Sequence, residues 1–297
     1  MSVSSHASVV IVGGGVAGCS VAYHLTKIGV TDVVLLERSK LTSGTTWHAA
    51  GLVGQLRATR NLTELAKYTA DLYHSLEAET GQATGFKQNG SVSVAKTPGR
   101  FEELKRGASM GKTFGLEIDV LSTGEIKERW PLLAVEDLVG GVFLRKDGQT
   151  NPIDTTQALA KGAKMRGARI FENTAVKKIR IERGRAIGVE TQDGFIAADT
   201  VVLCAGMWSH AIARECGVAV PLHAAEHFYI VTEPLQGLPA TCRCCACRTS
   251  APITRRTRAS CCWAVSSRWP NPGACRGSPR ISVLRPCPKT TSTSNRY

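Results

Sequence analysis

The sequence predicts an α/β fold in which a Rossmann-like β-α-β layer is interleaved with a second β-sheet. Three observations predict it. The run "SVVIVGGGVAGCSVAYHL" passes from an apolar strand through a glycine turn into an amphipathic helix. "DVVLLERS" follows as a second buried strand. Much later, "ARIFENTAVKKIRIERGRAIGVETQDGFIAADTVVLCAG" returns to strand patterning after a long segment of different character.

The first strand covers Val9–Val12, and Gly13, Gly15 and Gly18 after it fit G-x-G-x-x-G, with Gly14, Val16 and Ala17 between them. The first glycine permits the tight turn, the second lets the backbone approach a pyrophosphate, and the third lets helix and strand pack closely. The helix N-terminus then offers free N–H groups and partial positive charge to phosphates. A plain glycine-rich turn with a surface Glu is the simpler alternative. The position of Glu37, at the end of the second strand and nineteen residues past Gly18, weighs against it. A carboxylate there accepts ribose hydroxyls, which suits FAD or NAD rather than a 2′-phosphorylated dinucleotide; Arg38 beside it is a further cofactor-binding candidate.

The next stretch, "LTSGTTWHAAGLVGQLR", is too rich in Gly, Ala and Thr for an ordinary helix and lacks strand alternation. It places Thr45, Thr46, Trp47, His48, Ala49, Gly51 and Leu52 just past the second strand, where a simple nicotinamide domain would continue β-α-β. Residues 60–80 then set Leu62, Leu65, Ala66, Leu72 and Leu76 at helical spacing. Short strands with a helix near 100–115 are expected over 86–150, and a further helix over 154–167. A hairpin is expected at Asp193-Gly194, followed by a buried strand ending at Ala205-Gly206. The expected division is 7–85 and 153–217 for the dinucleotide layer, 86–152 and 218–240 for the second sheet, and 241–297 as an irregular tail.

The loop with its Trp-His pair closely resembles the sarcosine and dimethylglycine dehydrogenases of the D-amino-acid-oxidase-like superfamily. "LEAETGQATGFKQNGSVSVA", "DLVGGVFLRKDGQTNP", "VVLCAGMWSH" and "PLHAAEHFYIVTEPL" resemble the same family in the same order, so that the likeness covers roughly residues 7–240. The resemblance implies an FAD-binding domain interleaved with a substrate-side sheet, with FAD carried covalently on His48. It implies that Val176 meets the adenine end through its backbone and that Ala205-Gly206 lies beside the dinucleotide. His227 matches a family His close to flavin and substrate; a core His bonded to a loop is the plainer reading of the same residue.

In that family a small N-methyl amine gives a hydride equivalent to the flavin, and the iminium product hydrolyses or passes its carbon to tetrahydrofolate. The folate region lies in the C-terminal part of a full-length parent. The resemblance leaves the electron acceptor open. "PLHAAEHFYIVT" also resembles the regulatory subunit of pyruvate dehydrogenase phosphatase, a relative without dehydrogenase activity and without the Trp-His pair, so the pair favours the enzyme.

From Thr241 to Tyr297 the character changes. This stretch has eleven Lys and Arg and no Asp or Glu, so that +11 of the chain's formal charge of +13 belongs to it. Eight of the eleven cysteines and six of the twelve prolines also fall there. Cys242, Cys244, Cys245 and Cys247 suggest zinc, but no second C-x-x-C and no later His completes a ligand set. A basic nucleic-acid arm explains the arginines but not the cysteines. The third reading is a change of reading frame. Back-translated with permissible codons and read two nucleotides on, "PITRRTRASCCWAVSSRWPNPG" becomes "YYKEDAGKLLLGGFEPVAKPW", which resembles what the family has after "VTEPLQGLP". The frame change is the expectation, and with it an inactive chain that engages no nucleic acid and no metal.

No membrane span or signal peptide is expected, since "MSVSSHAS" is short and polar. Cys19, Cys204 and Cys216 are scattered singly on apolar elements, as in reducing compartments. A cytoplasmic location is expected, or the mitochondrial matrix in a eukaryote.

Overall fold

The computed structural model describes residues 5–131 and 133–225, and the backbone of four further strands between 228 and 265. The chain begins β1 (His6–Val12), α1 (Val16–Lys27), β2 (Val33–Leu36), β3 (Leu52–Val53), α2 (Arg60–Thr80) and β4 (Ser91–Ala95). It continues α3 (Pro98–Thr113), β5 (Ile118–Leu121), α4 (Thr123–Arg129), β6 (Gly140–Leu144), β7 (Gly148–Gln149) and α5 (Pro152–Met165). Then come β8 (Arg169–Phe171), β9 (Val176–Glu182), β10 (Arg185–Thr191), β11 (Gly194–Leu203) and α6 (Ser209–Glu215). The last described elements are β12 (Phe228–Val231), β13 (Cys244–Cys247), β14 (Ile253–Thr257) and β15 (Ser260–Val265).

Two large sheets and a two-stranded β3–β7 ladder organise the described elements. The first has strand order β8-β2-β1-β11-β10-β9. Its centre is parallel: β1 pairs with β2 on one side and β11 on the other, and β8 adds to β2. Every residue of β2 is buried, as the unbroken run of apolar residues in "VVLL" requires of a strand covered on both faces. The second sheet has order β12-β15-β14-β13-β4-β6-β5. Its strands come from the segment between the two contributions to the first sheet and from the segment after them, which is the predicted interleaving.

Local chemistry sets the helix boundaries. The Thr59 hydroxyl caps α2 and Gly81, at φ 63°, ends it. Thr97-Pro98 and Asn151-Pro152 start α3 and α5, each with a side-chain cap followed by proline in the first turn. Ser122 and Glu125 form a reciprocal capping box on α4. Helices α1 and α5 meet over the first sheet around Tyr23, Leu35, Leu76 and Leu159. A Cβ on Gly162 would lie 2.9 Å from the Tyr23 ring, so the close helix approach depends on that glycine.

The structure adds to the expected elements. Helices α4 and α6 were not anticipated, and both are only seven residues long, too short for a clear helical period. A second hairpin joins β9 to β10 through Arg183 and Gly184, both at positive φ, as a tight two-residue turn demands. Most of all, the stretch from 241 onward, expected to be irregular, contributes β13, β14 and β15, with β13 parallel to β4. β-Branched and aromatic residues such as Ile253, Thr254, Trp263 and Val265 favour strands whatever the surrounding charge, and β4 offers an edge to pair with.

Candidate functional site

The glycine turn is built by contacts that only glycine permits. Gly13 has φ 111°, and a Cβ there would lie 2.5 Å from the Cys204 carbonyl oxygen. A Cβ on Gly18 would fall 1.9 Å from the Gly13 oxygen, which is how the third glycine lets α1 close against the end of β1. Gly14 donates its N–H to the Glu37 Oε2 at 2.7 Å, and the Ser39 N–H reaches Oε1 at 3.0 Å. The carboxylate is nearly buried and held rigidly, with further acceptor capacity on both oxygens.

Gly15 is the N-cap of α1 and has no side chain with which to cap it. Thr46 does so from outside: its Oγ1 accepts the Val16 N–H at 3.0 Å. Because a hydroxyl can accept and donate together, its proton stays available to an anion at the same place. Among the described residues the Gly15 and Ala17 N–H groups find no acceptor. They point to an anion at the helix N-terminus.

Above this turn lies a cavity of about 580 Å³. Val12, Leu36 and Leu203, the last residues of three neighbouring parallel strands, form its floor. That is the crevice at the carboxyl ends of the strands where open α/β sheets hold ligands. Of the sequence-derived candidates, Gly13, Gly15, Val16, Ala17, Glu37, Arg38, Thr45, Thr46, Val176, Ala205 and Gly206 line it. Gly14 and Gly18 shape the turn from behind. Glu37 and Arg38 are the only charged residues on the described wall. The rest is largely apolar, which suits a nucleoside attached to a pyrophosphate.

Other candidates sit elsewhere. Trp47 and His48 are exposed beyond the wall, in a 3-10 turn, with ring centroids 3.7 Å apart. Ala49 is exposed beside them. Gly51 accepts the Thr150 N–H, and Leu52 pairs with Gln149 in the small β3–β7 ladder. His227 lies outside the described residues, as does Cys242. Sequence reasoning missed Gly44, Cys204 and Trp208, which also line the cavity. Cys204 follows the apolar β11, and partial burial raises its pKa. Trp208 stands in "VVLCAGMWSH", two residues past Gly206, and no spacing rule marks it.

The donor set therefore fits the ADP part of FAD: N–H groups and a hydroxyl for the pyrophosphate, and a fixed carboxylate for the ribose. No helix among the described residues is long and apolar enough to cross a membrane. Compared with known proteins, the chain is 46% identical over 240 residues to a protein named sarcosine dehydrogenase, mitochondrial, from Homo sapiens, covering 79% of this chain and 26% of that protein. It is 40% identical over 232 residues to the mitochondrial pyruvate dehydrogenase phosphatase regulatory subunit of Mus musculus, covering 77% of this chain and 26% of that one. The chain thus spans about a quarter of the length of these curated relatives. Its fold matches the crystal structure of L-proline dehydrogenase from P. horikoshii with a TM-score of 0.83 at 24% identity, covering 89% of this chain and 71% of that one. The family described as DAO, FAD dependent oxidoreductase, matches residues 8–258. That span takes in the glycine turn, the whole cavity wall and all the strands of the two large sheets but β15 and the first residues of β1, and the chain belongs to the family of FAD-dependent oxidoreductases.

Proposed function

We propose that this chain carries the dinucleotide-binding part of an enzyme that oxidises the C–N bond of N-methylated glycines such as sarcosine or dimethylglycine. The observation that carries this reading is the Trp47-His48 pair, standing directly after the cavity-lining Thr45 and Thr46 in a loop that resembles those dehydrogenases. FAD, when bound, supplies the redox chemistry by accepting a hydride equivalent from the amine carbon. The chain's own residues hold it. The α1 N-terminus and the Thr46 hydroxyl take the pyrophosphate, Glu37 accepts the ribose hydroxyls, and the Val176 backbone meets the adenine. His48, exposed and free of burial constraints, carries the flavin through its imidazole. His227 is assigned to the substrate side of the flavin.

The test is acid precipitation of a frame-repaired, full-length protein and its His48→Ala variant. Yellow flavin should stay with the wild-type pellet and leave the variant's. Equal retention by both refutes the attachment.

We further propose that the reading frame departs after Glu233 and that the chain as written does not turn over. The abrupt loss of acidic residues supports this, as does the family-like string in the alternative frame. The β14–β15 hairpin covers the residues whose alternative-frame reading gives "YYKED" and "KLLLGG". The nucleotide sequence across codons 235–250 decides the frame, and sarcosine oxidation by the purified 297-residue chain would refute the loss of activity. The mitochondrial names of the relatives favour the matrix as compartment in a eukaryote.

A second reading is a regulatory flavoprotein with structural FAD, favoured by "PLHAAEHFYIVT" and the phosphatase-subunit relative. Anaerobic bleaching of the repaired protein's flavin by sarcosine or dimethylglycine eliminates it.

A further inference from the structure

We propose that Trp208 is a positioning residue of the dinucleotide site, clamping Arg38 and the Gly44 turn into one wall so that Arg38 presents its N–H edge to the adenosine phosphate. The inference rests on the dinucleotide reading and deepens it. The Arg38 guanidinium carbon lies 4.0 Å from the centroid of the Trp208 ring. On the same indole, a Cβ built on Gly44 would come within 3.2 Å of Cζ3 and 3.8 Å of Cη2, so the loop backbone rests against the ring. All three residues line the cavity.

The three come from separate segments. Arg38 directly follows the ribose-facing Glu37, Gly44 leads into Thr45 and Thr46, and Trp208 stands in the 3-10 turn after β11. The indole is thus a common support for the loop that carries the α1 cap and for the only cation on the described wall. Stacking engages the face of a guanidinium and leaves its in-plane N–H donors for hydrogen bonds. A long side chain held this way loses less freedom when an anion binds, so affinity is higher than for an unsupported arginine. A lysine cannot substitute, because an ammonium has no flat face to stack.

The test is calorimetric titration of ADP into the full 297-residue chain and its Trp208→Ala, Trp208→Phe, Arg38→Ala, Arg38→Lys and Trp208→Ala/Arg38→Ala variants, with thermal unfolding followed in parallel. Trp208→Ala and Arg38→Lys should each weaken ADP binding about threefold or more, the size expected of one stacked cation. Trp208→Phe should recover most of the loss. The double variant should bind no more weakly than Arg38→Ala alone, because each change removes the same contact. Wild-type affinity in both Trp208→Ala and Arg38→Lys, or single losses that multiply fully in the double variant, overturns the clamp. Should Trp208→Ala fail to fold, Arg38→Lys decides alone: Arg38 is exposed, and equal affinity there overturns the proposal. A wild-type chain that binds no ADP brings down the dinucleotide reading and the clamp with it; binding unchanged across the variants brings down the clamp only.

Discussion

The Thr46 hydroxyl oxygen accepts the Val16 N–H at 3.0 Å, across thirty residues of sequence. Helix α1 begins at a glycine that cannot cap itself, and the loop that resembles the flavin-attachment segment supplies the missing group. One contact therefore ties the start of the dinucleotide helix to the loop bearing His48.

Thr46→Val should lower stability by about 1 kcal/mol, the usual worth of an N-cap. It should also weaken ADP binding, whereas Thr46→Ser keeps both. Urea unfolding and ADP titration on the three proteins check this; a Val variant matching Ser in both would show that the hydroxyl contributes nothing.

Gly18→Ala brings a methyl group to 1.9 Å from the Gly13 carbonyl oxygen, closer than any atoms can pack. The backbone of the turn must shift, so ADP binding should be lost and stability should fall by several kcal/mol, at the severe end for a single substitution. Gly29→Ala is a control for substitution at a glycine facing open space. Its positive φ of 95° limits its cost to backbone strain of about 1–2 kcal/mol, and ADP binding should be kept.

Acid should loosen the first sheet through Asp32. Its carboxylate accepts the Ser8 N–H at 2.7 Å and the Ser8 hydroxyl at 2.9 Å, and pairs with Arg169 on β8. The Ser8 N–H bond leads in holding its pKa below the ordinary value of 3.8, against a smaller opposing effect of desolvation. The folded state thus binds this proton more weakly than the unfolded one. Stability from the group is present above 3.8 and is lost as pH falls through the lowered folded value. Asp32→Asn should be less stable than wild type at neutral pH and converge with it in acid; parallel curves across pH 2–7 would refute this.

Tyr23→Phe removes a hydroxyl that donates to Glu79 at 2.7 Å, where Glu79 also pairs with Arg166. Burial and the Glu79 carboxylate push the Tyr23 pKa up to about 12, so the phenol remains a donor throughout the working range. The loss should be about 1 kcal/mol, read as a lowered urea midpoint. Glu79→Gln should cost less in the Tyr23→Phe background than in the wild type, the remainder being the lost Arg166 pair.

The sequence by itself determined the dinucleotide turn and its partners. Gly13, Gly15 and Gly18 act through backbone geometry that spacing along the chain dictates, Glu37 acts through a carboxylate placed at the end of a strand, and α2 announces itself through its helical period. The Trp-His pair was likewise legible, because it is local. What tertiary structure alone decided was which distant residues complete the cavity. Trp208 reaches Arg38 and Gly44 only because β11 pairs with β1 and delivers its turn beside the end of β2. That adjacency comes from strand order, which no local pattern encodes. The strands after residue 243 teach the same lesson: strand propensity in "ITRRT" and "SCCWAV" is weak evidence in isolation, and pairing arises from the edge that β4 presents.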